Sequence, residues 1–169
     1  MIVNVINLST HSLPKYETGG SAGFDIRVDL SRVTPDKPIE AYGDAEVIWA
    51  GKGHTVPMVR IAPRSRAKLP TGIFTAIPEG WQVSCRPRSG MAIKKGLTLV
   101  NTPGTIDSDY RGEWQIPVIN LGLEDIYIED GERICQGILE PVYHIDWNEV
   151  ESLDETERGD GGFNSTGSK

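Results

Sequence analysis

Phe24-Asp25-Ile26-Arg27-Val28-Asp29-Leu30 sets an apolar side chain at every even position and a charge at every odd one. Successive strand residues face opposite sides of a sheet, so this stretch reads as a strand with one buried face, and Asp25 falls on the other. The alternation returns where Trp81, Val83 and Cys85 interleave with Gln82, Ser84 and Arg86. Ile73–Ile77, Leu97–Val100, Trp114–Asn120, Ile126–Glu129 and Arg133–Tyr143 are further strand candidates. Asp130-Gly131 marks a tight turn, and with it a hairpin between the last two. Pro78-Glu79-Gly80 is another turn, and only Ser89–Lys95 reads as a short helix. Short strands joined by turns, without an internal repeat, predict an all-β sandwich or jelly roll.

The composition agrees. Gly and Pro make up nearly 18% of the 169 residues, against about 12% in average usage, which argues against a helical bundle. The length suits one domain, predicted over 1–147. Residues 31–69 are interrupted by Pro35, Pro38, Gly43, Gly51, Gly53, Pro57 and Pro63. They read as weak strands in an insertion-bearing region, whose role and any protein partner stay open. Residues 148–169 are acidic and then glycine-rich, the composition of a flexible arm.

Net charge is −7, from 17 Lys+Arg against 24 Asp+Glu. This opposes direct nucleic-acid binding and attachment to an anionic membrane, but not a small anion met by a few Arg residues. Met1–Leu8 has no basic start and its apolar run is broken by Asn4 and Asn7, so no signal peptide is expected. No stretch approaches a membrane span. Cys85 and Cys135 sit in apolar runs and are expected as reduced core residues of a cytoplasmic protein. His11, His54 and His144 lack metal-ligand spacing.

Four polar stretches invite chemistry. Arg88, Ser89 and Gly90, where a strand meets the short helix, suit a phosphate; a plain turn with Ser89 as N-cap is the bland reading. Gly104-Thr105-Ile106-Asp107-Ser108-Asp109-Tyr110-Arg111-Gly112-Glu113 holds a carboxylate that could act as a base from a rigid loop, or simply an Asx-type turn. Arg158 to Gly167 combines a cation, glycines, hydroxyls and Phe163, enough to wrap phosphates and stack on a ring, or to be an unstructured tail. Ala22-Gly23-Phe24-Asp25-Ile26 is the fourth.

Together and in order, these stretches resemble the five motifs of the homotrimeric dUTP diphosphatase (dUTPase) family. The motifs appear as AGFDI at 22–26, PRSGMAIKKGL at 87–97, GTIDSDYRGE at 104–113, GERICQGIL at 131–139 and RGDGGFNSTG at 158–167. Arg64-Ser65-Arg66 looks like a second Arg-Ser motif without its Gly or helix, and reads as a decoy. The resemblance implies a distorted jelly roll (the dUTPase-like β-clip) that forms a homotrimer with shared active sites. Its activity would be hydrolysis of dUTP to dUMP and pyrophosphate with Mg²⁺, which limits uracil entry into DNA and supplies dUMP for dTMP synthesis.

By the same resemblance, Asp107 activates the attacking water and Asp25 touches waters around Mg²⁺. Arg88, Ser89, Gly90, Gln136, Arg158, Ser165 and Thr166 meet phosphates. Asn101, Gly104, Thr105, Ile106, Tyr110 and Phe163 meet the nucleoside, with Tyr110 under the deoxyribose and Phe163 over the uracil. The arm is implied to order over bound substrate. Asn164 stands where Gly is common, and Cys135 and Gly137 flank Gln136 where Ala and a larger apolar residue are usual. The alternatives are a dCTP deaminase of the same fold, whose catalytic glutamate aligns with Pro117 here, and a nucleotide-sensing regulatory module.

Overall fold

A computed structural model describes residues 1–50 and 55–162. Along these the chain forms β1 (Asn4–Asn7), β2 (Phe24–Arg27), β3 (Glu40–Tyr42), β4 (Ala45–Ile48), β5 (Met58–Ile61), β6 (Arg66–Pro70), β7 (Ile73–Ala76) and β8 (Trp81–Pro87). It continues with α1 (Ser89–Lys95), β9 (Leu97–Leu99), β10 (Gly104–Ile106), β11 (Gln115–Asn120), β12 (Ile126–Glu129) and β13 (Arg133–Pro141). Two four-stranded sheets, ordered β10-β8-β13-β2 and β3-β6-β11-β9, carry most of the body. A three-stranded sheet β12-β5-β4 and the pair β1-β7 complete a distorted, antiparallel jelly roll. No helix among the described residues is long and apolar enough to cross a membrane.

The alternation of residues 24–30 holds on its apolar side. Ile26, Val28 and Leu30 are all buried, although β2 itself ends at Arg27. Beyond Arg27 the chain peels toward β6, with the Asp29 N–H bonded to the Pro70 carbonyl at 2.9 Å. Asp29, expected on the solvent side, is fully buried. It is accommodated because Ser31 Oγ donates to it at 2.7 Å and Arg32 Nε at 3.4 Å.

The expected turn at Asp130-Gly131 is present, with Gly131 at φ 80° and the Glu132 N–H bonded to the Glu129 carbonyl at 3.0 Å. The expected hairpin is not. β12 pairs with β5, and β13 pairs with β8 and β2. Turn chemistry fixes a reversal but not a partner, and Ile126 and Ile128 find buried cross-strand partners in Ile61 and Val59. Residues 31–69 supply β3 to β6, and Val59, Ile61, Ala67 and Leu69 belong to the core. β13 stops at Pro141, short of the expected Tyr143, and from Val142 to Gly162 the chain forms no helix or strand.

Arg88, with extended backbone, is the N-cap of α1, so Ser89 is the first helical residue and not the cap. The helix stops at Gly96, whose φ of 75° and 2.4 Å approach of any Cβ to the Gly122 nitrogen leave room only for glycine. Arg64 lies in a turn and Arg66 starts β6, with the buried Ser65 Oγ between them accepting from the Asp44 N–H at 2.8 Å.

Asn120 ties three segments together from a fully buried position. Its Nδ2 donates to the carbonyls of Ile61 and Glu124, both at 2.8 Å, and its Oδ1 accepts from the Gly122 N–H at 2.8 Å. Asn120→Ala strands these groups, so unfolding in urea at fixed protein concentration should show a loss of about 2–4 kcal/mol. A loss within experimental error would show that the loop after β11 needs no such tie.

Candidate active site

The register of β13 against β2 sets Gln136 opposite Asp25, and Arg88 alone separates the end of β8 from the start of α1. Asp25, Arg88, Ser89, Gly90 and Gln136 therefore line one cavity of about 420 Å³ with Met91, Lys94 and Lys95. Arg88 Nε donates to Asp25 Oδ1 at 3.0 Å and its Nη1 to the Arg133 carbonyl at 3.2 Å. Arg133 Nη1 donates to Asp25 Oδ2 at 2.9 Å and to Glu17 Oε1 at 3.3 Å. Gln136 Nε2 reaches the Pro87 carbonyl at 3.4 Å. The cavity wall is thus rich in cations that one carboxylate partly offsets, an arrangement suited to a polyanion.

Asn101, Gly104, Thr105 and Ile106 line a second, smaller cavity of about 40 Å³ with Cys85, Leu99 and residues 115–117. Gly104 to Ile106, read from sequence as loop, is the strand β10 paired with β8. Asp107 follows it directly, and its exposed carboxylate has no hydrogen-bond partner among the described residues. The loop to β11 is braced internally. The Tyr110 N–H donates to the Asp107 carbonyl at 3.3 Å, and Arg111 Nη1 to the Ser108 carbonyl at 2.6 Å. Tyr110 is 43% exposed and its hydroxyl donates to the Glu113 carbonyl at 3.0 Å. Asp107 and Tyr110 line neither cavity among the described residues.

Arg158 stands apart, closing a local turn by donating from Nε to the Gly161 carbonyl at 2.8 Å. Phe163, Ser165 and Thr166 lie outside the described residues. The structure thus brings the expected residues into two groups and leaves Asp107, Tyr110 and Arg158 outside both. Sequence reading missed Arg133, Lys94 and Lys95. Arg133 lies within the quoted GERICQGIL stretch, and both lysines within PRSGMAIKKGL, where cations beside a phosphate motif were the available signal.

Two further clusters have structural explanations. Cys85 and Cys135 are buried and unbridged, on neighbouring strands. Their proximity holds the Cys85 thiol below its ordinary value and, with burial, pushes Cys135 well above its own. His11, Asp29 and Asp130 gather their ligand atoms within 4.8 Å. Asp29 is already engaged by Ser31 and Arg32, and Asp130 Oδ1 by the Leu30 N–H at 2.6 Å and by His11 Nε2 at 3.2 Å. This is a brace between segments.

A model of the dUTPase family matches residues 55–167. Deoxyuridine 5'-triphosphate nucleotidohydrolase of Finegoldia magna is 46% identical over 99% of this chain and 99% of its own length. That of Fusobacterium nucleatum is 44% identical over 98% and 96%. The chain belongs to the dUTPase family. Among solved structures, Staphylococcus bacteriophage 80alpha dUTPase with dUPNHPP superposes with a TM-score of 0.74 at 24% identity, covering 98% of both chains. A dUTPase variant from phage phi11 of S. aureus, described with a structural Mg(II) ion, gives 0.68 at 19%, covering 92% of this chain and 100% of its own. These two share the fold.

If the larger cavity of this dUTPase-family chain takes a polyanion, Arg88 should be its forked contact. Lys lacks the planar fork, so Arg88→Lys should weaken inorganic pyrophosphate binding about tenfold in titration calorimetry. Unchanged affinity would place the anion elsewhere.

Proposed function

We infer that the chain hydrolyses dUTP to dUMP and pyrophosphate. One observation carries the reading: near-complete alignment, at 46% identity over 99% of both chains, with a deoxyuridine 5'-triphosphate nucleotidohydrolase. The five motifs fall in order within that alignment, and the bound analogue named for the phage 80alpha relative agrees with it.

In this mechanism Asp107 holds the attacking water and takes its proton as the water oxygen bonds to the α-phosphorus. The bond from that phosphorus to the bridging oxygen breaks, and pyrophosphate leaves. Arg88, Ser89, Gly90 and Gln136 hold the phosphates, with Arg158, Ser165 and Thr166 of the arm closing over them. Asn101 and the backbone of Gly104, Thr105 and Ile106 read the uracil, Phe163 covers it, and Tyr110 lies under the sugar. Oriented donors around a developing negative charge are the main contribution such a site makes.

Mg²⁺ fits this arrangement in one way. Asp25 is the carboxylate of the larger cavity, but both its oxygens take guanidinium donors. It would therefore meet the ion through water, once the phosphates draw Arg88 away. Bound with the triphosphate, Mg²⁺ would supply charge neutralisation and keep several of its waters.

A homotrimer completes the site. Two observations support it: Arg88, Ser89, Gly90 and Gln136 line one cavity of a single chain while Asn101, Gly104, Thr105 and Ile106 line another, and the stretch after β13 bears bare apolar residues. Tyr143 and Trp147 are 87% and 88% exposed, more than a solvated arm needs to present. Neighbouring copies would cover them and bring Asp107 to the phosphates. Unbridged Cys85 and Cys135 fit a reducing, cytoplasmic setting. A deaminase would need a proton carrier at Pro117, which this side chain cannot be.

Asp107→Asn should leave a folded trimer by light scattering and lose roughly 10²–10⁴ in the rate of pyrophosphate release. Near-normal turnover would remove Asp107 from its role, and a fully active monomer would remove the shared site.

A further inference from the structure

Tyr110 is fixed by the backbone it leans on. Its hydroxyl donates to the Glu113 carbonyl at 3.0 Å, and its ring lies so close over Gly112 that a Cβ there would meet the phenol oxygen at 2.4 Å. Wherever Gly112 and Glu113 go, the ring follows. That backbone is in turn anchored by the Glu113 side chain. One carboxylate oxygen accepts the Gly72 N–H at 2.7 Å and the Thr71 N–H at 3.2 Å, and pairs with Arg32 Nη2. The next residue is locked to the same turn, with Thr71 Oγ1 donating to the Trp114 carbonyl at 2.6 Å and the Trp114 N–H to the Ile73 carbonyl at 2.8 Å.

Arg32 stands outside all five motifs, in the region between the first two. It lies between two acids, Glu113 and the fully buried Asp29. Asp29 is itself held by Ser31 Oγ, with His11 Nε2 4.0 Å from it. The Glu113 carboxylate is only 15% exposed. A carboxylate so far withdrawn from water keeps its place only while a cation faces it. Without Arg32, its better course is to turn toward solvent and release the Thr71 and Gly72 N–H groups.

We propose that Arg32 and Glu113 act as positioning residues, a clamp that fixes the Tyr110 ring and thereby sets discrimination between deoxyribose and ribose nucleotides. The proposal rests on the reading of Tyr110 as the residue under the sugar. Rejection of a 2'-hydroxyl is a steric matter, so it depends on the ring standing within a fraction of an ångström of one position. A loosened ring admits the ribose while still stacking on the deoxyribose. Selectivity falls further than stability does.

The test uses the full chain, with kcat/KM for dUTP and UTP, calorimetric affinities for dUMP and UMP, and Tm measured alongside. Arg32→Met keeps the aliphatic stem and removes the cation. It should lower the dUTP-to-UTP selectivity about tenfold, less than the ~100-fold that a 1 Å misplacement can cost. Arg32→Lys should recover part of that loss. If Arg32→Met does not fold, Glu113→Gln carries the same expectation, since it keeps a carbonyl oxygen for Thr71 and Gly72 but drops the ion pair. Wild-type selectivity retained in the variant, whatever happens to Tm, overturns the clamp. A wild-type protein with no preference for dUTP over UTP overturns the Tyr110 reading itself.

Discussion

Seven consecutive residue pairs join β8 to β13, from Pro87 opposite Cys135 to Trp81 opposite Pro141. This register is the constraint on which the larger cavity depends. Side chains alternate with a period of two, so a slip by one residue would turn Gln136 into the core and Cys135 into the cavity. The same register starts α1 just where Arg88 can face Asp25 on the far side of β13. Gly137 makes the packing possible, because a Cβ there would meet the Phe24 ring at 2.6 Å. That ring stacks on Trp114 and takes the edge of Tyr16, so β2, the turn before β11 and the N-terminal segment close over one glycine.

An acidic chain that handles a polyanion is no contradiction, because local charge decides binding at contact distance. Arg88 and Arg133 converge on a single carboxylate, and Lys94 and Lys95 complete the wall. Screening confines the remaining negative surface to about a Debye length, ~8 Å at physiological salt. Part of the surplus acid lies on the exposed arm, at Glu149, Glu151, Asp154, Glu155 and Glu157. The cations around Asp25 also keep that carboxylate compensated until a ligand competes for Arg88.

Much of this was legible in the residues. Strict alternation announced β2 and β8, and a Gly ended α1 where the pattern stopped. The motif stretches held every residue lining the larger cavity, but only Gly104, Thr105 and Ile106 of the smaller. What the sequence hid was long-range. β1, β3 and β10 are three or four residues long, too short for alternation to outweigh their polar neighbours. The partner of β12 depended on Val59 and Ile61, about seventy residues before the turn that looked like a hairpin. Asp29 was misplaced because period-two logic runs past the point where the strand ends. Asp29 carried a signal after all, since an Asp side chain readily accepts from the backbone two residues on, as it does here from the Ser31 N–H at 3.4 Å. The division of the candidate residues between two cavities had no signature in the sequence.

In the proposed reaction water attacks the α-phosphorus of dUTP, and pyrophosphate leaves. Hydrolysis in heavy-oxygen-labelled water, with mass spectrometry of both products, reads the point of attack directly. The account predicts one labelled oxygen in dUMP and none in pyrophosphate, with no ammonia released when dCTP is offered instead. Label in pyrophosphate, or ammonia from dCTP, would contradict it.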